Sequence, residues 1–315
     1  MYEEHIIGVV IPAYNESGFV GDVIETLPPF VDRVYAIDDC STDDTWPEMK
    51  AAAGRVNDSI EDRDAAFSER VVCIQHESNA GVGGAIKTGY LRAREDGIDV
   101  TAVMAGDGQM DPGRLERIIK PVVRGEADYA KGNRFIKTEH HAEMPKHRYV
   151  GNLLLTYLTK IATGYWDVSD PQMGYTAISH EALSGTDIEN MYEFYGYCND
   201  LLVRLSAAGY RVADVPAPVT YDEETSHISY RSYIPLVSFM LLRTFLWRIL
   251  VRRHSPVETI RTGLYLGGAA GVFVGIVSML RSKRSIRLPI AGVVLLVGGM
   301  ISDAIVNRPK NDRIE

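Results

Sequence analysis

Four apolar runs, Ile6–Ile11, Val34–Ile37, Val71–Ile74 and Val100–Val103, are each followed by a segment of helical spacing: Phe19–Leu27, Asp43–Ala53, Val82–Arg94 and Pro112–Val123. No other feature restricts the chain as much. Parallel strands need a crossover between them, so this rhythm predicts an α/β domain with a mostly parallel central sheet and helices on both faces. Ligands of such open sheets bind outside the carboxyl ends of the strands. Gly54–Arg70 is polar and aperiodic and reads as a surface loop, as does Lys137–His147. A helix over about Tyr149–Thr163, a strand near Tyr175–Ile178, a helix near Asn199–Ala208 and a strand at Arg211–Val215 complete a domain over residues 1–232.

The remainder has a different character. Residues 1–232 carry 38 Asp and Glu against 21 Lys and Arg, whereas residues 233–315 carry 4 against 12. An acidic domain joined to a basic apolar tail fits a cytosolic unit tethered to an anionic cell membrane, and it argues against nucleic acid as a partner. Thr262–Leu280 runs 19 residues without a charge, about 28 Å as a helix and close to a bilayer's hydrocarbon thickness. Leu288–Val306 is a second such run, broken only by Asp303, and Arg281, Lys283, Arg284 and Arg287 form a basic turn between them. The expectation is a multi-pass transmembrane hairpin over residues 259–307 (spans about 262–280 and 287–306), followed by a tail over 308–315. Gly267, Gly271 and Gly275 recur every fourth residue and offer a face for another helix, including one from a second copy in a homo-oligomer. Tyr233–Val251 contains Arg243 and Arg248, each costing about 2.5–3.5 kcal/mol at a bilayer centre. Residues 233–258 therefore read as an interfacial helix and linker.

The first apolar run is short, lacks a cationic lead and ends in Pro12, which argues against a secretory leader. Cys40, Cys73 and Cys198 have no metal-type spacing and read as reduced, structural thiols.

The chemistry lies in the turns that leave the strands. Met104–Pro112 (MAGDGQMDP) packs two carboxylates, a carboxamide and two glycines into one turn, a way of presenting oxygen ligands to a hard cation. Asp111 suits a helix cap before Pro112. Ile11–Glu16, Ile37–Asp44 and Asn79–Lys87 place further polar groups on the same rim. Ser41–Asp44 has the form of a capping box, and the glycines of Asn79–Lys87 permit close packing. Like charges crowded on one rim cost stability unless a cation or a donor-rich ligand offsets them. The GVGG run lacks both the dinucleotide spacing and the P-loop Lys-Ser/Thr, so hydride transfer and ATP hydrolysis lose support.

In order and spacing, PAYNE, IDDCSTDDT, NAGVGGAIKTG and GDGQMDP resemble the glycosyltransferase family 2 enzymes of the GT-A fold. With KGNRF (Lys131–Phe135), Arg148, Asn152 and a C-terminal hairpin, the chain is similar to polyprenyl-phosphate glycosyltransferases such as dolichyl-phosphate mannose or glucose synthases. The resemblance covers about residues 5–232. It implies a nucleotide sugar donor held by Pro12, Tyr14, Glu16, Ile37 and Asp39. It further implies Mg²⁺ or Mn²⁺ on Asp107 and Gln109, and a polyprenyl phosphate acceptor received by Arg134 and Arg148, with Arg134 also counted among the donor-binding residues. Asp107, Arg134 and Arg148 are the implied catalytic set, with Asn152 one turn beyond Arg148. Ala105 stands where the family's metal motif has its first acid. The implied reaction is an inverting transfer of one hexose, from GDP-mannose or UDP-glucose, at the cytosolic membrane face. A phosphate acceptor needs no general base, whereas extension of a lipid-linked saccharide needs one, for which Asp200 is the candidate. A catalytically inactive membrane-anchored scaffold, suggested by Ala105, is the third alternative.

Overall fold

The computed structural model describes residues 1–59, 67–136, 146–217, 230–251, 256–282, 286–307 and 311–313, with the side chains of 146–149, 230–232, 282 and 311–313 outside that description. Most of Lys137–His147, part of Gly54–Arg70 and most of the 308–315 tail lie outside the described residues.

In chain order the elements are β1 (Ile7–Ala13), α1 (Val20–Glu25), β2 (Arg33–Asp38), α2 (Thr45–Asp58), β3 (Val71–Gln75), α3 (Val82–Glu95) and β4 (Val100–Val103). A 3-10 turn (Pro112–Arg114) leads into α4 (Leu115–Val123), then β5 (Tyr129–Asn133), α5 (Lys146–Thr163), β6 (Thr176–Ser179), α6 (His180–Gly185), α7 (Tyr197–Ala208) and β7 (Val212–Pro216). α8 (Tyr230–Val251), α9 (Pro256–Ser282), α10 (Arg287–Asn307) and a short β8 (Asn311–Arg313) end the chain. The rhythm read from the sequence is present. The residues Lys131–Asn133 of the KGNRF stretch form a strand, and α2 extends into the expected loop.

The strands lie in the order β3-β2-β1-β4-β6-β5-β7-β8, and β6 is antiparallel to both neighbours while the other pairings are parallel. β1 is buried along its whole length, as a central parallel strand covered on both faces must be. Its side chains alternate: Ile7, Val9, Ile11 and Ala13 join one core with α1, α2 and α4, and Val10 joins the other with α3, α6 and α7. The chain winds outward from β1 through β2 to β3, then returns across the sheet to lay β4 on the other side of β1. This reversal opens a crevice beyond Ala13 and Val103, where the turn Met104–Pro112 emerges. Asp111 caps the following turn as expected, its Oδ1 accepting from Gly113 N at 2.8 Å.

The C-terminal architecture departs from a two-helix hairpin. Among the described residues, three helices are long and apolar enough to cross a membrane: Tyr233–Val251, Pro256–Arg281 and Arg287–Asn307. Of the two arginines that spoke against α8, Arg248 is paired within the protein, its Nη2 2.6 Å from Asp303 Oδ2 on α10, whereas Arg243 is exposed. The glycine face is also reassigned. Gly271 and Gly275, with Gly268, approach α10 of the same chain at Gly292 and Pro289, and of the three glycines read from the sequence Gly267 alone faces open space. Homo-oligomerisation through that face therefore has no support.

α3 can cross β1 closely because Gly89 has no side chain; a Cβ there would drive into Val10. Gly89→Val is expected to lower the unfolding free energy by about 1–3 kcal/mol through overpacking, read as a fall in the urea midpoint in detergent.

Candidate active site

Hydrogen bonds tie the turns leaving β1 and β2 to each other. Asn15 N donates to Ser41 Oγ at 2.9 Å and Thr42 N to Asn15 Oδ1 at 2.8 Å. Glu16 N donates to Thr45 Oγ1 at 2.7 Å and Gly18 N to Glu48 Oε2 at 2.6 Å. Asn15 adopts φ 56°, a left-handed conformation that asparagine tolerates. The expected capping box does not form: Asp44, the cap residue, makes no side-chain cap bond, and Thr45 N donates to Asp43 Oδ1 at 3.0 Å instead. Ser41 is already engaged with the neighbouring turn.

The crowding of acids on the rim is likewise relieved from within. Asp39 is 2% exposed; it accepts from Ala80 N and Gly81 N, each at 2.8 Å, and lies 2.8 Å from His76 Nδ1. The other ring nitrogen of His76 meets Thr88 Oγ1 at 2.9 Å. Asp38 accepts from Ser41 N and Gln75 Nε2. Backbone amides thus satisfy carboxylates that would otherwise repel one another.

Three cavities meet at Asp107. One, of about 340 Å³, is bounded by Pro12, Tyr14, Glu16 and Asp39, with Phe194 and Tyr195 opposite. A second, of about 280 Å³, runs from Asp107 past Arg134, Asn152 and Gln172 to Asn199. The third, of about 300 Å³, holds Gln109 together with Phe19 and Asp22. Pro12, Tyr14, Glu16, Asp39, Asp107 and Arg134 therefore converge on one continuous cleft. Gln109 stands on its flank, its backbone N donating to Asp107 Oδ1 at 3.0 Å. Ala105 faces both main cavities beside Asp107.

Ile37 does not join them. It is fully buried on β2 and packs in the second core, so its side chain cannot reach a ligand in the cleft. Arg148 lies in the first turn of α5, but its side chain is outside the described residues; Asn152, one turn later, is 4% exposed and lines the cleft. Asp200 is turned away: it accepts from Tyr192 N at 2.9 Å and Arg204 Nε at 2.7 Å. The neighbour that lines the cleft is Asn199, a carboxamide with no proton affinity to offer. Cys198 also lines it, and burial pushes its thiol up to about 11, so it is present as the protonated, non-nucleophilic form.

Arg134 is gripped by a buried carboxylate. Its Nε and Nη2 donate to Asp170 Oδ2 and Oδ1, both at 2.7 Å, and its backbone N donates to Oδ2 at 3.0 Å. Asp170 sits at φ 48°, conformational strain held by this network. Behind it, Lys131 pairs with Asp214 at 2.9 Å, both side chains 1% exposed, and Asn133 Nδ2 donates to Asp214 at 2.6 Å. These bonds connect β5, β7 and the Ser169–Gly174 segment into the wall that carries Arg134.

Sequence reasoning missed two segments of the cleft. Gln172 and Gly174 come from the loop before β6, and Tyr195–Asn199 from the turn into α7. The second had a signal in the density of aromatics at Tyr192, Phe194, Tyr195 and Tyr197. Its placement depends on Gly81 and Gly83, where a Cβ would strike the backbone carbonyls of Glu193 and Tyr192; Gly84 N donates to Glu193 O at 2.9 Å. Close packing by these glycines, one of the roles read from the sequence, thus seats the aromatic turn against α3.

The fold is shared with solved glycosyltransferases. Glucosyl-3-phosphoglycerate synthase of Mycobacterium tuberculosis superposes on 78% of this chain and 81% of its own, with a TM-score of 0.52 at 21% identity. Residues 8–185 match the family described as Glycosyl transferase family 2, and the chain belongs to it. The UDP-N-acetylglucosamine–dolichyl-phosphate N-acetylglucosaminyltransferase of Methanococcus voltae is 30% identical over 221 residues, 70% of this chain and 88% of that protein. The polyprenol monophosphomannose synthase of Mycolicibacterium smegmatis is 29% identical, over 70% of this chain and 79% of its own. The undecaprenyl-phosphate mannosyltransferase of Micrococcus luteus is 27% identical, over 66% and 80%.

Burial alone would raise the Asp170 carboxyl, but the charge and hydrogen bonds of Arg134 outweigh it and hold the group below the usual carboxylate range. A carboxyl lowered in the folded state contributes stability that is complete above its unfolded value, about 3.9, and is lost as pH falls through the folded value. Asp170→Asn, which leaves Arg134 buried without its counter-charge, is expected to cost about 3–5 kcal/mol in urea unfolding at neutral pH and to flatten the acid limb of stability.

Proposed function

We propose that this protein transfers a single hexose from a nucleotide sugar, GDP-mannose or UDP-glucose, to a polyprenyl (dolichyl) phosphate at the cytosolic face of a membrane, with inversion. The observation that carries this reading is the polarity of the cleft. Among the described residues it sets Asp107 against Arg134, Asn152 and Asn199, and the acid considered as a base, Asp200, is bound elsewhere. A cleft so equipped suits an acceptor that is already anionic. The dolichyl-phosphate and undecaprenyl-phosphate transferases and the polyprenol monophosphomannose synthase among its relatives agree with this.

The nucleotide occupies the cavity of Pro12, Tyr14, Glu16 and Asp39, with the aromatic turn closing its far side. Asp107 faces both main cavities, at the place where the diphosphate and the sugar meet. Among the described residues no three His, Cys, Asp or Glu side chains cluster to hold a metal. Asp107, with the carboxamide of Gln109 beside it, is an oxygen-donor set suited to a hard cation and would hold Mg²⁺ or Mn²⁺. Such an ion supplies charge stabilisation to the leaving diphosphate. An acceptor phosphate oxygen forms a bond to the anomeric carbon while the bond from that carbon to the diphosphate breaks, its electron pair leaving with the diphosphate. No proton needs to move. Arg134, immobilised by Asp170, and Asn152 orient the acceptor phosphate, and Arg148 at the start of the same helix is the second cation of the proposal.

Purified protein supplied with Mg²⁺ or Mn²⁺, dolichyl phosphate and radiolabelled GDP-mannose, UDP-glucose or UDP-N-acetylglucosamine is expected to yield labelled lipid with one donor. No labelled lipid with any donor refutes the reading. Label entering only a lipid-linked saccharide supports the extension alternative, and metal-dependent nucleotide-sugar binding without transfer supports an inactive scaffold. Asp107→Ala is expected to lower kcat by about two orders of magnitude or more, and retained activity would remove it from the site.

A further inference from the structure

Five titratable groups, Asp303, Arg248, Tyr265, Arg261 and Glu258, lie at one end of the C-terminal helices, and none of them lines the cleft. Asp303, four residues before the end of α10, is fully buried. It accepts two hydrogen bonds from Arg248 near the end of α8, at 3.1 and 2.6 Å, and one from Tyr265 Oη on α9 at 3.0 Å. Arg261, near the start of α9, places Nη1 3.0 Å from Asp303 Oδ1 and Nη2 3.7 Å from Glu258. Asn307 Nδ2 donates to the backbone carbonyl and to Oδ1 of Asp303. Arg248 is 1% exposed and Arg261 3%. One carboxylate thereby collects groups from all three helices.

The cluster also reaches the catalytic domain. α5 ends at Gly164, whose φ is +75°, and a Cβ there would come within 2.9 Å of Asp303 Cγ. α8 packs on the same domain through Val237, Met240 and Leu241 against Leu155, Ala162 and Val203. Continuous contact therefore runs from Asp303 to Gly164 and back along α5 to Asn152 in the cleft.

A buried ionic cluster is a poor source of net stability, because well-packed apolar side chains would serve as well. Its distinctive property is selection of one arrangement. Apolar helices that meet through glycines, as α9 and α10 do, have little to set their height against a neighbour. A carboxylate that accepts from Arg248, Tyr265 and Asn307 and is ion-paired with Arg261 is matched in one geometry only. Ionisable groups in such helices are retained for a role.

We propose that the Asp303 cluster is a positioning joint. It fixes the three C-terminal helices against the end of α5 and so sets where the acceptor-facing part of α5 stands relative to a lipid surface. The acceptor half of this inference rests on the lipid-phosphate reading above; the joint itself rests on the geometry alone.

The test uses the full chain reconstituted in phosphatidylcholine–phosphatidylglycerol vesicles, with dolichyl phosphate in the bilayer or a short, water-soluble prenyl phosphate in solution. Asp303→Asn is expected to raise KM for the bilayer-borne acceptor about tenfold, leaving KM for the nucleotide sugar and for the soluble acceptor within about twofold. Arg261→Gln, which keeps the Arg248–Asp303 pair, should shift the same constant in the same direction and decides the matter where Asp303→Asn does not fold. Amide hydrogen exchange over Ala162–Tyr165 should quicken in either variant. An unchanged KM for the bilayer-borne acceptor, or equal losses with both acceptors, overturns the proposal. A wild-type protein inactive with both acceptors overturns the acceptor reading instead, and the exchange measurement then decides the joint: faster exchange supports it and unchanged exchange overturns it.

Discussion

β1 and β4 lie side by side and parallel, although the chain places two strands and three helices between them, and the cleft depends on that adjacency. Connections leaving neighbouring strands in sequence would close over the sheet edge. Here the turn after β1 continues towards β2, and the turn after β4 leads to α4 on the way to β5. The gap between them holds Pro12, Ala105 and Asp107. Ligand binding at such a reversal is a property of open α/β sheets as a class, and it sets Met104–Pro112 beside the cleft where an isolated Asp-Gly pair would be an ordinary turn.

Satisfied hydrogen bonds then determine which acids remain for chemistry. Asp38, Asp39, Asp43 and Glu48 each accept from backbone amides or neighbouring side chains. They act as rivets between rim turns, and Asp39 does so while still lining the cavity of Pro12, Tyr14 and Glu16. On the opposite wall Asp170 converts Arg134 from a long, mobile cation into a fixed one. The pairing removes much of the side chain's freedom, at the cost of part of the guanidinium's charge. Asn199 and Asp200 show how local the outcome is: adjacent residues in one helix, of which the amide faces the cleft and the acid is bound to Arg204.

The C-terminal helices invert the usual reading of charge in apolar sequence. Arg248 and Asp303 lie on long, mainly apolar helices, and each alone would argue against burial or a span. Together they remove each other's penalty. The pairing ties α8 to α10, and Arg261 and Gly164 bring α9 and the end of α5 to the same carboxylate.

Much of this was legible in order along the chain. Strand and helix periods, Asp111 as a cap, and the ordered motifs that led to family membership are local properties, carried by residues within a few positions of one another, so the sequence by itself determined an α/β domain, its rim turns and three apolar C-terminal segments. Long-range pairing is not written in any local pattern. Ile37 sits in a motif yet is drawn into the core by strand register; Ser41 has the spacing of a cap yet bonds to Asn15 on another turn; Gly271 and Gly275 offer a face that α10 of the same chain takes. The tertiary structure alone decided those cases, together with the wall from Ser169–Gly174, the seating of the aromatic turn and the Asp303 cluster, because each depends on which groups distant in sequence come close enough to satisfy one another.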